Sequence, residues 1–580
     1  MKIVIAKTSG FCMGVRRAVE MVLDTPGKHE KPIHTYGPLI HNPQVLDVLE
    51  SKDVSILDTI PEQGSGTVLV RAHGVPPDIK KELKDSGFNV LDATCPRVIK
   101  VQSIIRKHAK NDFASIIIGD KDHPEVIGLL GYAADKGYVA GSMEEIEALP
   151  AFENAIIVAQ TTQNIELFEQ VKQWAQAKYP HYTIFETICG STERRQAEIK
   201  RLAESVDVII VVGGRTSGNT RRLFEIARQT GRRAYHIESE KDLEAIDINV
   251  FAAARQIGLT AGASTPNWII KKVYKTLESL VVTRKQGWRR AIFNAQRALL
   301  LTNIYVSLGA GCLSYASSIL QGTTQYFPYI FISILFVQSM HILNHLIGST
   351  SDRYNDPDRA HFYQKYRVLL SLLAVISGGA GLIIAFTLGV LPFVSLWVMS
   401  LLGLSYNLRL IPKQHTQFKY RRIRDIPGSK TILIAMAWGV VTAVLPSLSA
   451  SAQLSWTTGL IFLWSAGIVF ARTAFFDILD MQGDRIVGKE TLPILLGAKR
   501  SMRLLKIVLA IVVTMLIVLA AFQMISSLGF ILIICPALMY LILLTHERGV
   551  ILPSIKLEFW VETNFILAGI VSFLWTLVAL

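Results

Sequence analysis

"MKIVIAKTSGFCMGVRRAVEMV" (residues 1–22) sets the reading of the first half of the chain. The short apolar run "IVIA" suits a buried strand, and the charged-apolar mixture after Cys12 suits an amphipathic helix. Between them lies a glycine-framed turn holding one cysteine, with no neighbour that could form a C-x-x-C pair. The same order of strand, cysteine and helix recurs in "FNVLDATCPRVIKVQSII" (88–105) around Cys95 and in "YTIFETICGSTERRQAEI" (182–199) around Cys189. Pro96 suits the first turn of a helix.

For any one of these cysteines alone, a buried packing residue is the simplest reading. Three in the same setting, each about one small α/β lobe apart, point instead to three lobes converging on a shared centre. Helix N-termini favour the thiolate, which is the metal-binding form. Three thiolates can hold zinc with a fourth position open, or a [4Fe–4S] cluster with one iron lacking a protein ligand. Spacing does not separate these two. The remaining cysteines, Cys312 and Cys535, lie in apolar blocks and read as packing residues. Five in all are too few for a disulfide framework.

The apolar blocks belong to a different second half. Half of the 580 residues are hydrophobic and the mean hydropathy is +0.35. Up to about residue 283 charge is mixed with short apolar runs; beyond residue 298 the apolar blocks approach the roughly 20 residues that cross a bilayer. Nine spans are expected, at 299–319, 327–347, 368–388, 390–407, 431–449, 457–476, 504–524, 527–545 and 561–580, or eight if the third and fourth are one. The connections "LQGTTQY", "LSASAQLSW" and "QMISS" hold no Lys or Arg. Those after even-numbered spans are basic, with Arg353, Arg359, Lys365 and Arg367, then the stretch from Lys413 to Lys430, then Arg485, Lys489, Lys499 and Arg500. Basic loops stay in the cytoplasm, which places the N-terminal half there too. The start offers only four apolar residues after Lys2, too few for a secretory signal. Much of the net charge of +14 is therefore topological, and it does not gather on a soluble domain as nucleic-acid binding requires.

In the first half, "GPLIHNPQV" places His41 in a loop, "VRAHGVPP" places His73 just after a strand, and "GDKDHPEVIG" places His123 and Glu125 after another. "VDVIIVVGGRTSGNTRRLFEIA" reads as strand, Gly-rich loop and helix with Ser217, Gly218, Asn219 and Thr220 at the turn, and "GLTAGASTPNW" adds Ser264. A lone histidine is more often structural, but three in post-strand loops beside two hydroxyl-rich turns suit a diphosphate pocket.

"GFCMGVRRA", "RAHGV", "DATCP", "HPEVIG", "CGSTERRQ", "GNTRRL" and "TAGASTP" together resemble the 4-hydroxy-3-methylbut-2-enyl diphosphate reductase (LytB) family, in family order over about residues 1–283. The resemblance implies three α/β lobes around a central [4Fe–4S] cluster held by Cys12, Cys95 and Cys189. It implies reductive removal of a substrate hydroxyl, giving isopentenyl and dimethylallyl diphosphate, the last step of the non-mevalonate isoprenoid pathway. Glu125 matches the proton donor and Thr161 the threonine beside the hydroxyl. His41, His73, His123, Ser217, Asn219 and Ser264 match the diphosphate set, with Gly218 standing where many members have a second serine. No flavin or nicotinamide fingerprint is present, so a ferredoxin- or flavodoxin-type carrier is the expected electron donor.

A second chemistry follows the sixth span. In "RTAFFDILDMQGDRIVGKETLP", Asp477, Asp480 and Asp484 are spaced to share one helical face, where Mg²⁺ bridging to a diphosphate would relieve their repulsion. A solvated helix end is the plainer reading, with Arg472 and Arg485 as ion-pair partners. The string resembles the second aspartate motif of UbiA-type intramembrane prenyltransferases, and the basic stretch from Tyr406 to Thr431 resembles their central loop. The first motif departs from the family: "NHLIGSTSD" keeps Asn344 and Asp352 but has His345 and Gly348 in place of aspartates, with Asp356 and Asp358 just beyond. The expected organisation is thus a reductase domain over 1–283, a basic linker over 284–298 and an all-α transmembrane domain over 299–580. The whole is a multi-pass protein of the inner, cytoplasmic membrane. Its expected partners are a small diphosphate substrate, membrane lipids, a prenyl diphosphate with an unidentified acceptor, and no nucleic acid. The alternative for the second half is an inactive anchor or lipid-binding module.

Overall fold

The structure is a computed structural model and describes residues 2–283, 287–347, 352, 354–405, 426, 428–451, 455–487, 489, 491–548 and 554–579. The chain divides into two compact units, Met1–Arg284 and Lys285–Leu580.

In the first unit, the described strands are β1 (Lys2–Ile5), β2 (Ile33–Tyr36), β3 (Val54–Leu57), β4 (Thr67–Val70), β5 (Asn89–Asp92), β6 (Ala114–Ile118), β7 (Gly137–Ala140), β8 (Ala155–Ala159), β9 (Thr183–Ile184), β10 (Val208–Val212), β11 (Arg233–Ile237) and β12 (Gln256–Ala261). They form three four-stranded sheets in the orders β1–β12–β10–β11, β5–β4–β2–β3 and β9–β8–β6–β7, and the pairings among these described strands are parallel. Strands β4, β6, β8 and β10 are buried at every residue, because helices cover both faces of a parallel sheet and water reaches neither. Two lobes are continuous stretches of chain (β2–β5 and β6–β9), but the remaining one is not, although cysteine spacing alone implies three such stretches. β1 pairs with β12, so the first lobe is closed by the two ends of this unit.

The second unit is helical. Among the described residues, seven helices are long and apolar enough to cross a membrane: Phe327–Ile347, Arg367–Leu388, Ser429–Leu448, Trp456–Val487, Ala498–Ala521, Leu528–Glu547 and Ile555–Ala579. The expectation of nine differs at the first block. The first block is a bent pair, Arg290–Leu301 and Ile304–Leu320, angled at 73°, which makes an eighth span if counted as one. The bend sits at Asn303, whose backbone is left-handed (φ 58°) and whose amide donates to the Tyr363 hydroxyl at 2.6 Å. The fourth block is helical over Val390–Ser405, and the rest of its expected range, 406–407, lies outside the described residues. Most of the expected basic linker is also structured: residues 288–298 belong to the helix Trp288–Leu301, which packs on Ile304–Leu320 and Ile555–Ala579. The sixth span continues to Val487, so Asp477, Asp480 and Asp484 ride on one unbroken helix. The basic loop at 406–425, together with Gly348, Arg353, Gly488 and Glu490, lies outside the described residues.

Small residues set the closest approach between Ile304–Leu320 and Ile555–Ala579. A Cβ at Gly309 would stand 2.9 Å from Phe565 Cβ, and one at Gly569 would stand 2.6 Å from Cys312 Cβ and 3.0 Å from its Cα. The second clash involves backbone, so it cannot be relieved by a rotamer change. Gly569→Val is expected to destabilise this unit by about 1–3 kcal/mol, the usual scale for overpacking. The check is the thermal midpoint of the helical signal in detergent, and an unchanged midpoint would refute this packing.

Candidate active sites

In the first unit, three thiols, three imidazoles, a carboxyl and two hydroxyl-rich turns line one cavity. It contains Cys12, Cys95, Cys189, His41, His73, His123, Glu125, Thr161, Ser217, Gly218, Asn219 and Ser264, every residue singled out for this half from the sequence. The placement follows from the sheets. Each cysteine comes after the edge strand of its sheet (β1, β5 or β9) and caps the N-terminus of a helix: Met13–Asp24, Pro96–Ala109 and Gly190–Ser205. Each cysteine N–H donates to a carbonyl two residues beyond the neighbouring strand: Cys12 to Ala263 at 3.1 Å, Cys95 to Ala72 at 2.9 Å, Cys189 to Thr161 at 2.9 Å. The loops after those neighbouring strands carry Ser264, His73 and Thr161. The loops after the third strands, β10, β2 and β6, carry Ser217, His41 and His123.

The imidazoles of His41, His73 and His123 have ring centroids 4.7–5.8 Å apart. Burial lowers all three pKa values, that of His73 well below its ordinary value and that of His123 to about 4. All three rings are therefore neutral near pH 7. His123 Nδ1 accepts the Glu125 N–H at 3.1 Å, which places its proton on Nε2. His41 Nε2, His73 Nδ1 and Asn219 Nδ2 are buried without a hydrogen-bond partner. Such groups cost about 1–3 kcal/mol each when unmet, so the cavity is built to receive a ligand rich in acceptor and donor oxygens. Ser217 Oγ accepts the Thr220 N–H at 3.4 Å, and Ser264 Oγ donates to the His41 carbonyl at 3.1 Å.

Glu125 is 2% exposed and is clamped by Thr161. Its Oε1 accepts the Thr161 N–H at 2.6 Å and its Oε2 accepts the Thr161 hydroxyl at 2.9 Å. Burial pushes the carboxyl up to about 7; the Thr161 bonds and the Arg222 charge oppose it without reversing it. A buried acid poised near neutrality can deliver a proton at physiological pH.

The donor set fits an iron–sulfur cluster. Burial raises the Cys95 thiol and the charges of Cys12 and Cys189 add to that, so three thiolates here require a cationic centre. Two further residues that sequence reading passed over serve this arrangement. A Cβ at Gly14 would lie 2.4 Å from Cys95 Sγ, so only glycine lets the helix after Cys12 approach Cys95. Arg195, buried, donates through Nη1 to the Ala261 carbonyl at 2.8 Å and through Nη2 to Gly10 at 2.5 Å, tying the end of β12 to the Cys12 turn. Their signals were the glycine of "CMG" and the paired arginines of "STERRQ".

In the second unit, Asp477 is 1% exposed; its Oδ2 accepts the Thr431 hydroxyl at 2.6 Å and its Oδ1 the Lys430 ammonium at 3.2 Å. Asp484 Oδ1 accepts Asn355 Nδ2 at 2.9 Å, with Lys489 at 4.0 Å, and its Oδ2 is buried without a hydrogen-bond partner. Asp480 is half-buried on the same helix. Arg472 does not serve these aspartates: it pairs with Glu562 at 2.5 Å. Of the first-motif residues, Asn344 is half-buried on Phe327–Ile347 and Asp352 is bound to His345 at 2.8 Å.

Comparison with known proteins gives two separate matches. The LytB protein family model covers residues 3–278, and the UbiA prenyltransferase family model covers residues 304–550. The first half is 42% identical over 288 residues to the 4-hydroxy-3-methylbut-2-enyl diphosphate reductase of Solidesulfovibrio magneticus, covering 48% of this chain and 100% of the relative. A solved (E)-4-hydroxy-3-methyl-but-2-enyl diphosphate reductase is 38% identical, covering 48% of this chain and 99% of its own, with a TM-score of 0.38. A UbiA homolog from Archaeoglobus fulgidus, solved with GPP and Mg²⁺, is 16% identical over 47% of this chain and 98% of its own, with a TM-score of 0.33.

The contact between Gly14 and Cys95 yields a direct test. Gly14→Ala is expected to push Cys95 Sγ out of place and to lower retention of an iron–sulfur cluster by about tenfold or more, the lower end for lost support around a metal ligand. Iron and sulfide content of anaerobically purified chain, beside an unchanged circular dichroism spectrum, is the measurement. Full loading in the variant would refute the packing argument.

Proposed function

Since the chain belongs to the LytB family, we propose that its first unit reductively dehydroxylates (E)-4-hydroxy-3-methylbut-2-enyl diphosphate to isopentenyl and dimethylallyl diphosphate. The observation that carries this reading is one cavity holding three helix-capping thiols, three neutral imidazoles and a buried acid. Two electrons and two protons enter, the C–O bond to the hydroxyl breaks, and water leaves. Cys12, Cys95 and Cys189 would hold a [4Fe–4S] cluster, which when bound supplies one-electron transfer and a Lewis-acidic iron. The diphosphate takes its contacts from His41, His73, His123, Ser217, Asn219 and Ser264, with backbone N–H groups at Gly218 in place of a second hydroxyl. The Thr161 hydroxyl orients the leaving group, and Glu125, held in place by the Thr161 hydroxyl that donates to its Oε2, supplies the proton. Electrons come from a separate ferredoxin- or flavodoxin-type carrier.

The second unit, in this reading, transfers a prenyl group from a prenyl diphosphate to a lipid-pathway acceptor. Asp477, Asp480 and Asp484 would hold Mg²⁺ against the diphosphate, as a few carboxylates plus phosphate oxygens commonly do. The uncompensated Oδ2 of Asp484 supports a cation there. Loop charges support a multi-pass protein of the cytoplasmic membrane with the reductase in the cytoplasm.

Glu125→Gln is expected to keep the cluster and bind substrate while turnover falls by about 10²-fold or more, the scale of a lost positioned acid. The sign of the pH dependence follows from a carboxyl pushed up to about 7. The protonated, proton-donating form prevails below that value, so kcat/KM declines as pH rises through about 7, and this alkaline limb is absent from the variant. Near-parental turnover in Glu125→Gln, or an identical limb, would place the proton elsewhere.

For the second unit, Asp477→Asn is expected to lower Mg²⁺-dependent incorporation of label from geranyl diphosphate into lipid-extractable product in isolated membranes by about 10²-fold. Incorporation no higher than background in the parent would make this half an anchor, and equal incorporation above background in both would remove Asp477 from the site.

A further inference from the structure

Resting on the prenyl-transfer reading, we propose that the second unit takes a single divalent cation, held by Asp477, Asp480 and Asp484, and that the guanidinium of Arg359 replaces a metal at the Asp352 side. The acidic segment from Asp352 to Asp358 is already balanced from within. His345 Nδ1 lies 2.8 Å from Asp352 Oδ2, and its Nε2 lies 3.5 Å from Arg359 Nη1. Arg359 Nη2 bonds Glu558, its Nε lies 3.7 Å from Asp356 Oδ2, and only 14% of its side chain is exposed. Arg297 takes Asp358 at 3.2 Å.

A metal entering here must displace His345 from Asp352, or take Asp356 from a buried guanidinium that cannot lose its proton. Breaking such a pair leaves an uncompensated buried charge, which is strongly unfavourable. His345 compounds this, because Mg²⁺ prefers oxygen donors in near-octahedral array and imidazole suits softer metals. Asn344 and Asp352, read from the sequence as part of a metal site, are therefore assigned no metal.

The opposite side differs in kind. Its cations are the ammonium groups of Lys430 and Lys489, whose side chains are 39% and 34% exposed. They can swing onto phosphate oxygens when a diphosphate arrives, freeing carboxylates for a cation. Asp484 already keeps one buried oxygen without a hydrogen-bond partner. The two sides share one locus. Asn355 donates to Asp484, and a Cβ at Gly483 would lie 1.9 Å from Asn355 Oδ1, so the segment after Asp352 rests on the aspartate helix itself. The fixed positive charge of Arg359 then offsets diphosphate charge that a second metal would otherwise neutralise.

The test is a Mn²⁺ titration of the full chain in lipid nanodiscs with geranyl diphosphate, followed by electron paramagnetic resonance. The expected result is one geranyl-diphosphate-dependent Mn²⁺ per chain, with a magnetically uncoupled six-line signal that is lost in Asp484→Asn. Two Mn²⁺ per chain, or an exchange-broadened pair, would overturn the proposal, as would tight geranyl diphosphate binding without any Mn²⁺. The combined variant His345→Asp and Arg359→Gln, if its thermal transition is retained, is expected to raise the count to two. A count remaining at one would show that Arg359 does not exclude the metal and would also overturn the proposal. If that variant does not fold, the parental count alone decides. Absence of geranyl diphosphate binding under all conditions is a different failure, that of the prenyl-transfer reading.

Discussion

The bond from each cysteine N–H to the carbonyl two residues beyond the neighbouring strand is the constraint on which the first unit rests. It fixes three helix N-termini to three sheets and so aims three thiols at one space. Because the receiving carbonyls belong to Ala263, Ala72 and Thr161, the same bonds position Ser264, His73 and the partner of Glu125. Thr161 shows how tightly this is coupled. Its carbonyl holds the Cys189 turn while its N–H and hydroxyl hold the Glu125 carboxyl, so one residue relates the acid to the thiol site. Displacement of any lobe would disturb a ligand, an anion contact and the acid together.

Burial then does the chemical tuning. The same desolvation that lowers the imidazoles raises Glu125, since in both cases the charged form is the one that loses water. The result is a cavity whose imidazoles are neutral donors and whose acid stays near neutrality. Arg97 is the lining residue with a fixed positive charge. An anionic substrate is met mainly by oriented N–H and O–H groups at helix N-termini, with His123 and Ser217 themselves acting as helix caps.

Much of this was legible in the sequence because local chemistry and global placement agree. A cysteine at the seam between strand and helix reads as an N-cap, and all three are N-caps. Post-strand loops place His41, His73 and His123 at one end of parallel sheets, where sites form. What the sequence hid depends on distant partners. Nothing in "MKIVIA" states that β1 pairs with β12, so the first lobe's closure by opposite ends of the unit was invisible. Gly14 was hidden because its reason is Cys95, 81 residues further along the chain (95 − 14) and in another lobe, and no local pattern encodes that contact. In the membrane half, apolar length marked each block, but the left-handed break at Asn303 depends on a bond to Tyr363. Ion pairs such as Arg472 with Glu562 were equally unreadable, since hydropathy reports a buried charge and not its partner.

In the proposed reading the two units meet a diphosphate by opposite means, and the difference follows from solvent. In the first, a cavity opening from water can leave its imidazoles uncharged and still offer donors. In the second, Asp477, Asp480 and Asp484 lie on a helix of membrane length, where an unpaired charge is costly and must find a counter-charge within the fold or from a bound ion. Arg359 and His345 meet that need for one acidic segment with rigid, internal groups. Lys430 and Lys489 meet it for the other with partly exposed ones. On the proposed reading, local charge balance, more than the number of aspartates in a motif, sets how many metal ions such a site admits.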